Sequence, residues 1–467
     1  MPGVLTARDY VGGMQAVQLS SAKGRWILVT TVLGSGMALL DGTVVNVALP
    51  DLGRALNADI EGLQWTINAY TLTLAGLILL GGSLGDRYGR RKIFAIGVVW
   101  FAIASALCGL APSMETLIAA RALQGIGGAL LTPGSLAIIQ ATFSAEDRPK
   151  AIGAWSGLGG VAAAIGPLLG GWIVETIGWR WVFLINLPLA VIVLLIAMRH
   201  VPETRDEEAA GKFDVLGAAL AAVGLAALTY GLIEIEYVPM VLGVVILAGF
   251  VIVEHHRGAQ ALVPVTIFRN HTFTAVNVVT LFMYAAMGVV FFLLVLQLRT
   301  VSGFSPFAAG SALVPLTLLM LVLSPYSGEL ARRIGPRWPM TVGTLLSGIG
   351  FMWMSRIGPG AHYLTDVLPP VTLFGLGLSA TVAPLTATVL ASASQRQAGI
   401  ASGVNNAVAR TGSLLSVAAI PPLVGLTGEA YKNPALFDAG FQLSMYACAG
   451  MMAISALISL TGIRIRF

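Results

Sequence analysis

Charged residues are scarce in this chain. Asp, Glu, Lys and Arg make up 10% of its 467 residues and hydrophobic residues 56%, whereas soluble proteins carry about 25% charged residues. Apolar stretches of about 18 or more residues recur throughout, and each is long enough to cross a bilayer as a helix. The composition therefore excludes a series of ordinary soluble domains and predicts an all-α polytopic membrane protein.

Residues that carry enzyme chemistry are scarce as well. The two cysteines, Cys108 and Cys448, lie in apolar stretches, so no disulfide framework is predicted. The five histidines show no zinc-ligand spacing, and the sequence has no G-x-x-x-x-G-K-[ST] motif for ATP binding. No nucleophile and base fall at a shared depth. We therefore expect no catalysis, no cofactor and no metal.

Basic residues lie in short clusters between the apolar runs, which is typical of topology signals and not of nucleic-acid binding. Hydropathy predicts 14 membrane-spanning helices, at 26–50, 63–85, 93–111, 115–143, 151–175, 180–199, 213–233, 238–254, 272–297, 306–331, 337–357, 363–391, 399–426 and 440–463. A cytoplasmic N-terminus then places 20 of the 27 Lys and Arg residues in cytoplasmic segments, 5 in outer segments and 2 within spans. This bias predicts that both termini are cytoplasmic.

An internal repeat divides the chain. "GSLGDRYGRR" (82–91) and "GELARRIGPR" (328–337) follow the second and tenth predicted spans and share Gly, Leu and Arg positions in one register. Any tight basic turn collects such residues, but two homologous six-helix halves explain the shared register better. The predicted division is a cytoplasmic N-terminus (1–25), a first bundle (26–199), a linker with two extra helices (200–271), a second bundle (272–463) and a cytoplasmic tail (464–467).

Asp41 is the only charged residue in the first predicted span, and Arg121 lies in the fourth. An ionised Asp at the bilayer centre costs roughly 2.5–3.5 kcal/mol, so it needs a partner or a function. Counted from the outer helix ends, the two residues lie at similar depth. They form either a static ion pair or a proton site in which desolvation and the nearby Arg oppose each other. Arg410, in the thirteenth span, binds either an anionic group or backbone carbonyls.

The turn after the second span carries six candidate gating residues: Gly82, Asp86, Arg87, Gly89, Arg90 and Arg91. The turn is either a topology anchor or a latch in which acid and base close across the cytoplasmic face in one state.

The fifth predicted span contains "GPLLGG", which supplies the candidate hinge residues Gly166, Pro167, Gly170 and Gly171. Glycines at this spacing allow another helix to approach closely. Pro167 removes a helix hydrogen bond and permits a bend. Static packing and a hinge both remain open, since a hinge must also pack.

Soft and aromatic side chains suggest a cargo cavity, because thioethers and aromatic rings adapt to many shapes. Each residue alone is more typical of core or lipid-facing packing than of a cavity, so they form one hypothesis as a set. The set is Met37, Asn46, Trp65, Asn68, Tyr70, Gln124, Tyr284, Met287, Phe291, Phe292 and Arg410.

Five stretches resemble the major facilitator superfamily and, within it, the 14-helix drug:proton antiporters. They are "LDGTVVNVALP" (40–50), "WTINAYTL" (65–72), "GSLGDRYGRRK" (82–92), "RALQGIGGA" (121–129) and "AAAIGPLLGG" (162–171). The resemblance implies two six-helix bundles plus two extra central helices. It also implies that Asp41 carries the transported proton and that Arg121 tunes it. The second-half copy of the loop motif departs from the family pattern.

These observations predict a multi-pass protein of the cell (plasma or inner) membrane that exports amphipathic toxic compounds, cationic or neutral, against an inward proton flow. An ionised Asp41 facing a desolvated cavity would attract a cation. Alternatives are the same fold exporting one dedicated metabolite, lipid or antibiotic, and a non-transporting receptor or scaffold. The predicted partners are cargo, protons and the bilayer, without nucleic acid. An adaptor protein is left open, and without one we expect a monomer. Cargo identity, proton stoichiometry and the role of the extra helices stay undetermined.

Overall fold

The computed structural model describes residues 10–11, 14–15, 17–206, 214–258, 261, 263–393 and 398–463. Its α-helices in chain order are α1 Ala22–Ala55, α2 Ile60–Tyr88, α3 Arg90–Gly109, α4 Met114–Thr142, α5 Arg148–Thr176, α6 Trp181–Leu184, α7 Asn186–His200, α8 Val215–Ile233, α9 Tyr237–Arg257, α10 His271–Thr300, α11 Pro306–Ser311, α12 Val314–Ile334, α13 Arg337–Met354, α14 Leu368–Ala391, α15 Ala398–Leu423 and α16 Pro434–Gly462. Short strands β1 (Tyr10–Val11) and β2 (Met14–Gln15) pair in antiparallel fashion before α1.

Side chains and chain breakers set the helix ends. The side chains of Ser21, Asp59 and Ser113 each accept a hydrogen bond from a backbone N–H in the first turn of α1, α2 and α4, which satisfies donors that the helix leaves unpaired. Gly89, at φ +111°, separates α2 from α3, in a backbone region that side chains with a Cβ rarely adopt. The predicted sharp turn at 82–91 therefore forms there.

Twelve helices in the described part of the chain are long and apolar enough to cross a membrane. The protein is thus a predominantly helical, multi-pass membrane protein. Helices form at all fourteen predicted positions, but α13 and α15 fall outside those twelve, so the predicted total of 14 spans is not confirmed. The polar residues of α15 lower its hydropathy, and some of them are paired inside the protein: Asn405 donates to Thr280 Oγ1 at 2.8 Å and Ser416 donates to the Ala285 carbonyl at 2.7 Å.

The helices pack mainly within two groups. In the first group α2 and α3 pack on α4, and α1 packs on α5. In the second group α10 packs on α15 and α16, and α13 and α12 pack on α14. The helix α8 lies against α2 from the first group and α15 from the second, whereas only 11% of the apolar window of α9 is buried. The inner of the two extra helices therefore bridges the groups, and α9 presents its surface outward.

We call the end that carries the loops 56–59 and 424–433 the outer end, following the predicted orientation. Several polar contacts join the two groups there. Arg299 contacts Asp51 at 2.9 Å, and Glu175 accepts hydrogen bonds from Ser305 Oγ and the Phe307 N–H, both at 2.9 Å. The Tyr431 hydroxyl donates to the Ala58 carbonyl at 2.7 Å. These bonds hold the outer ends of the two groups together in this conformation.

Candidate functional site: a buried Asp–Arg cluster between helices

An ion pair lies in the interior of the first helix group. Arg121 Nη1 on α4 lies 2.5 Å from Asp41 Oδ2 on α1, and both residues are 0% exposed. The sequence predicted that the two residues lie at similar depth, because α1 and α4 run in opposite directions and each residue was counted from the outer end of its helix. A buried pair of this kind is stable only when its remaining hydrogen-bonding positions are satisfied.

The second carboxylate oxygen of Asp41 is also satisfied. Gln124 Nε2 donates to Asp41 Oδ1 at 2.8 Å, and Asn186 Nδ2 donates to the same oxygen at 3.0 Å. Both amides also contact Ser105 Oγ, at 2.8 and 3.3 Å. Asp41 therefore accepts three N–H bonds from two helices, an arrangement that suits a carboxylate.

Asn186 and Ser105 are members of this site that the sequence analysis missed. Their signal was weak, because one buried amide or hydroxyl inside an apolar span is common. Gln124 was assigned to the cargo cavity, and the structure places it beside Asp41 and Arg121 instead. Its position three residues after Arg121 puts both side chains on one face of α4.

Arg121 is held by groups other than Asp41 as well. Its Nε donates to the Thr66 carbonyl at 2.9 Å and its Nη1 to Gln124 Oε1 at 2.6 Å, and its guanidinium lies 4.4 Å from the centre of the Tyr70 ring. A Cβ at Gly125 would overlap the Tyr70 carbonyl oxygen. The absence of a side chain there lets α2 approach α4, which brings the Tyr70 ring onto Arg121.

The enclosure of Asp41 differs from one part of the sequence-based expectation. We expected an ionised Asp41 to face a cavity and attract a cation, but here no part of Asp41 is exposed. The reason is the tertiary arrangement, since Arg121, Gln124 and Asn186 occupy its acceptor positions. In this conformation its negative charge is neutralised by Arg121 and not offered to cargo.

The other residues assigned to the cavity fall into two groups. Met37, Asn68, Tyr70 and Phe292 are buried. The partly exposed ones are Asn46, Trp65, Tyr284, Met287, Phe291 and Arg410.

Several cavity candidates already have partners. Trp65 Nε1 donates to Glu234 at 2.9 Å, beside the extra helix α8. Phe291 packs against Phe374, with ring centres 6.2 Å apart, and Asn46 Nδ2 donates within its own helix to the Gly42 carbonyl at 3.3 Å. Arg410 has no hydrogen bond or ion pair among the described residues, and its Nε is inaccessible.

The turn at 82–91 holds its charges locally. Arg90 pairs with Asp86 at 2.7 Å, one helical turn away, and the Arg91 side chain lies 3.6 Å from Glu203. Glu203 also accepts hydrogen bonds from the backbone N–H groups of Arg91 and Lys92. Glu203 follows α7 and was not singled out from the sequence. The turn is thus braced within the first group in this conformation, and its role as a latch stays a prediction.

Gly82 and Arg87 are two further candidates in this turn. A Cβ at Gly82 would lie 3.6 Å from Pro133 on α4. The Arg87 guanidinium lies 5.7 Å from the centre of the Tyr88 ring.

The "GPLLGG" stretch of α5 presents two faces to two neighbours. Cβ atoms at Gly166 and Gly170 would collide with Thr43 and Val44 of α1. A Cβ at Gly171 would lie 2.6 Å from the Pro306 carbonyl oxygen of the second group, and one at Gly310 would overlap the Pro167 carbonyl oxygen. These residues therefore lie both in the core of the first group and in the contact between the groups.

A sequence model of the Major Facilitator Superfamily matches residues 31–417. The chain belongs to this superfamily. Major facilitator proteins are membrane transporters, so the helices described above are those of a carrier. Within the described residues, no group of three or more His, Cys, Asp or Glu side chains is arranged to hold a metal ion.

Its major facilitator relatives are export and resistance proteins. The chain is 34% identical over 432 residues to the tetracenomycin C resistance and export protein of Streptomyces glaucescens, which covers 89% of this chain and 79% of that protein. It is 36% identical over 408 residues to the puromycin resistance protein of Streptomyces alboniger, covering 84% and 80%. It is 32% identical over 420 residues to the multidrug resistance protein Stp of Mycobacterium tuberculosis, covering 88% and 77%.

Solved structures agree on the major facilitator fold. A peptide transporter POT in complex with sulfate superimposes with a TM-score of 0.73 at 14% identity, over 95% of this chain and 96% of that one. A bacterial homolog of the human lysosomal transporter Spinster superimposes with a TM-score of 0.66 at 19% identity, over 95% and 98%. At these identities the likeness shows the fold alone.

Proposed function

We propose that this transporter is a proton-coupled antiporter that exports amphipathic toxic compounds by alternating access. The buried cluster of Asp41, Arg121, Gln124 and Asn186 supports this proposal. A carboxylate that lies within the membrane and is bonded to three helix-borne donors is a group whose protonation changes the packing around it. The export and resistance relatives support the direction of transport.

The closed outer end suggests which step this conformation represents. Asp51 is bonded to Arg299 and Glu175 to the α11 backbone, so the carrier is closed to the outside in this conformation. Opening the outer end breaks these bonds and separates Gly171 from Pro306. A proton that then enters from outside neutralises Asp41 and loosens its bonds to Arg121. Each proton that moves inward contributes about 2.3 kcal/mol per 100 mV of membrane potential.

The proposed topology has 14 spans, with α13 and α15 counted as spans and both termini in the cytoplasm of a plasma or inner membrane. The basic turn at 82–91 and the charge bias along the chain support it. Reporter fusions at residue 467 and within 430–436 test it: the first should report the cytoplasmic side and the second the outer side. Both reporters on one side would contradict the proposed count.

A single dedicated cargo is the main alternative, because relatives include proteins named for one antibiotic and one named for multidrug resistance. Growth of a deletion strain on a toxin panel separates the two, since sensitivity to many unrelated compounds supports a broad range. The expectation of a cationic cargo depended on an accessible Asp41. Asp41 is enclosed in this conformation, so a cationic or neutral cargo stays a prediction.

The proposed function is tested by reconstituting the purified protein into vesicles that contain a panel of fluorescent amphipathic dyes. We expect dye to leave the lumen against its gradient when a pH gradient is imposed, and a protonophore to stop this movement. A protein-free vesicle is the control for leakage. Dye movement that is indifferent to the pH gradient would contradict proton coupling, and no movement at all would favour the receptor or scaffold alternative.

A further inference from the structure

Arg410 lies on α15, and no described residue is a partner for its charge. Among the described residues its guanidinium makes no hydrogen bond or ion pair, and its Nε is inaccessible to solvent. Arg121 and Arg299 each contact a carboxylate, at 2.5 and 2.9 Å. A partly buried guanidinium without an acceptor is costly, and a charged residue within a membrane span is by default a candidate functional site.

The electrostatic surroundings of Arg410 contain no acidic side chain among the described residues. The described ionisable groups that act on its charge are the phenols of Tyr70 and Tyr284, and phenols are neutral near pH 7. Tyr284 lies on α10 in the same helix group, and Tyr70 lies on α2 in the other. The surroundings of Arg410 are therefore aromatic, with one uncompensated positive charge.

Arg410 lies at the middle of α15 and faces the first helix group. It is about 18–20 Å of helix from either end of α15 (Ala398–Leu423). Residues seven apart lie on nearly the same face of a helix. Gly403 and Val417, seven residues on either side of Arg410, both meet α2. A Cβ at Gly403 would lie 3.0 Å from Leu79, and Gln64 donates to the Val417 carbonyl at 2.6 Å.

The facing surface of α2 carries a second unpaired polar group. Asn68 is 0% exposed, and neither its Nδ2 nor its Oδ1 has a hydrogen-bond partner. Asn68 is four residues after Gln64 and therefore lies on the same face of α2. An unpaired amide and an unpaired guanidinium thus lie at the interface of the two groups. The substrate sites of such carriers lie near the bilayer midplane, at the interface between the two groups.

We propose that the cargo is an amphipathic aromatic compound with an acidic group, and that its anion binds Arg410. Asn68 supplies hydrogen bonds to a neighbouring polar group, and Tyr70 and Tyr284 pack against the aromatic body. Arg410 is partly exposed, so the rest of its guanidinium is open to a ligand although Nε is not. Tyr70 connects this site to the proton cluster, because its ring lies 4.4 Å from the Arg121 guanidinium. This inference depends on the proposed export function and specifies its substrate class.

Three compounds that share one aromatic body test the charge preference: 1-pyrenebutyric acid, its neutral N-methylamide, and 1-pyrenebutylamine. Binding to the purified protein in zwitterionic lipid nanodiscs is followed by pyrene fluorescence at neutral pH. We expect the acid to bind roughly 10- to 100-fold more tightly than the amide, the range of a charge-assisted hydrogen bond. Equal binding of acid and amide by the unmodified protein, or preference for the amine, would overturn the proposal.

Variants of Arg410 locate the effect. Arg410→Gln should lower affinity for the acid to that of the amide and leave the amide within about twofold, while Arg410→Lys keeps part of the preference because it keeps the charge. Arg356→Gln is the matched control, since Arg356 is exposed at the outer end. An equal loss for acid and amide in Arg410→Gln would show that Arg410 only supports packing, and would refute the proposal. If Arg410→Gln does not fold, the Arg410→Lys variant and the comparison of acid with amide still test the proposal.

Competition experiments distinguish binding of an aromatic acid from binding of other anions. Millimolar inorganic phosphate, or nanodiscs that contain phosphatidylglycerol, should displace the acid weakly, because neither supplies the aromatic body. Displacement by phosphate as effective as displacement by unlabelled aromatic acid would identify a general anion site and refute the assignment to cargo.

Transport in vesicles adds a readout that a structural role would not change. Export of one anion with entry of one proton moves two positive charges inward, whereas export of a cation with one proton moves no net charge. K⁺ and valinomycin can set a membrane potential that drives positive charge inward. This potential should therefore accelerate efflux of the acid and not of the amine. The binding measurements need no proton gradient, so acid binding at Arg410 without gradient-driven efflux would refute the proposed antiport and leave this inference intact. Gradient-driven efflux with no acid preference would refute this inference and leave the proposed antiport intact.

Discussion

Replacing Asp41 by Asn is expected to abolish efflux driven by a pH gradient, reducing it to the rate of protein-free leakage. The amide keeps the shape of the carboxyl group but neither gains nor loses a proton. A carrier that couples through Asp41 would then lack its coupling step. Gradient-driven efflux in vesicles measures this loss, and uphill efflux retained in Asp41→Asn would remove Asp41 from the mechanism.

Stability separates coupling from a static ion pair. Removing one partner of a buried pair costs about 3–5 kcal/mol when the other charge is stranded. Arg121 would keep its bonds to the Thr66 carbonyl and Gln124 and its contact with Tyr70. We therefore expect the free energy of unfolding to fall by less than about 3 kcal/mol, the lower end of that range. Severe destabilisation that accompanies the lost activity would favour the static pair.

Two further variants control this experiment. Asp41→Asn combined with Arg121→Gln removes both charges, so stability should recover without recovery of proton-driven efflux. Asp41→Glu keeps an ionisable group one methylene longer and should retain partial efflux with a shifted pH profile. Recovery of coupling in the double variant would show that the pair acts only by holding helices together.

Replacing Gly171 by Leu is expected to hold the outer end open and reduce efflux by at least about fivefold. A Cβ there would lie 2.6 Å from the Pro306 carbonyl oxygen and 2.8 Å from the Phe307 Cα, so a leucine cannot fit while the two groups are closed. Overpacking costs about 1–3 kcal/mol, which shifts a two-state equilibrium roughly 5- to 150-fold. Opening the outer end relieves the collision without disturbing either group internally.

The distance between spin labels across the outer end measures this shift. Arg54→Cys and Arg356→Cys place one label on each group, in a background with Cys108→Ser and Cys448→Ser. The distance between the labels should lengthen in Gly171→Leu. Gly249→Leu on α9 is the control, since a Cβ there meets no atom within 4 Å, and it should change neither distance nor efflux.

The adjacent Gly170 provides a contrast. A Cβ there would lie 3.0–3.2 Å from atoms of Val44 on α1, inside the first group. Gly170→Leu should therefore lower thermal stability, whereas Gly171→Leu should alter conformation with little loss of stability. An unchanged label distance and full efflux in Gly171→Leu would mean that the contact with Pro306 is not part of the cycle.

The sequence by itself determined the membrane-spanning helical class, the repeat and the family, because hydropathy, basic turns and short motifs depend on local residue patterns. It also determined that Asp41 and Arg121 would lie at one depth, since helix rise converts residue number into distance. It did not establish the number of spans, because the polar residues of α15 pack inside the protein while they lower its hydropathy.

Only the tertiary structure decided which groups surround each charge. Gln124 belongs to the Asp41 cluster and not to the cavity, Asn186 completes that cluster, and Glu203 braces the inner turn. These partners come from helices and segments distant in sequence, and one sequence contains no signal for which faces meet. The same reason applies to Arg410. The sequence left either an anion or backbone carbonyls as the partner of Arg410. Only the packed helices showed that its guanidinium has no acceptor among the described residues, because satisfaction of a polar group depends on its neighbours in space.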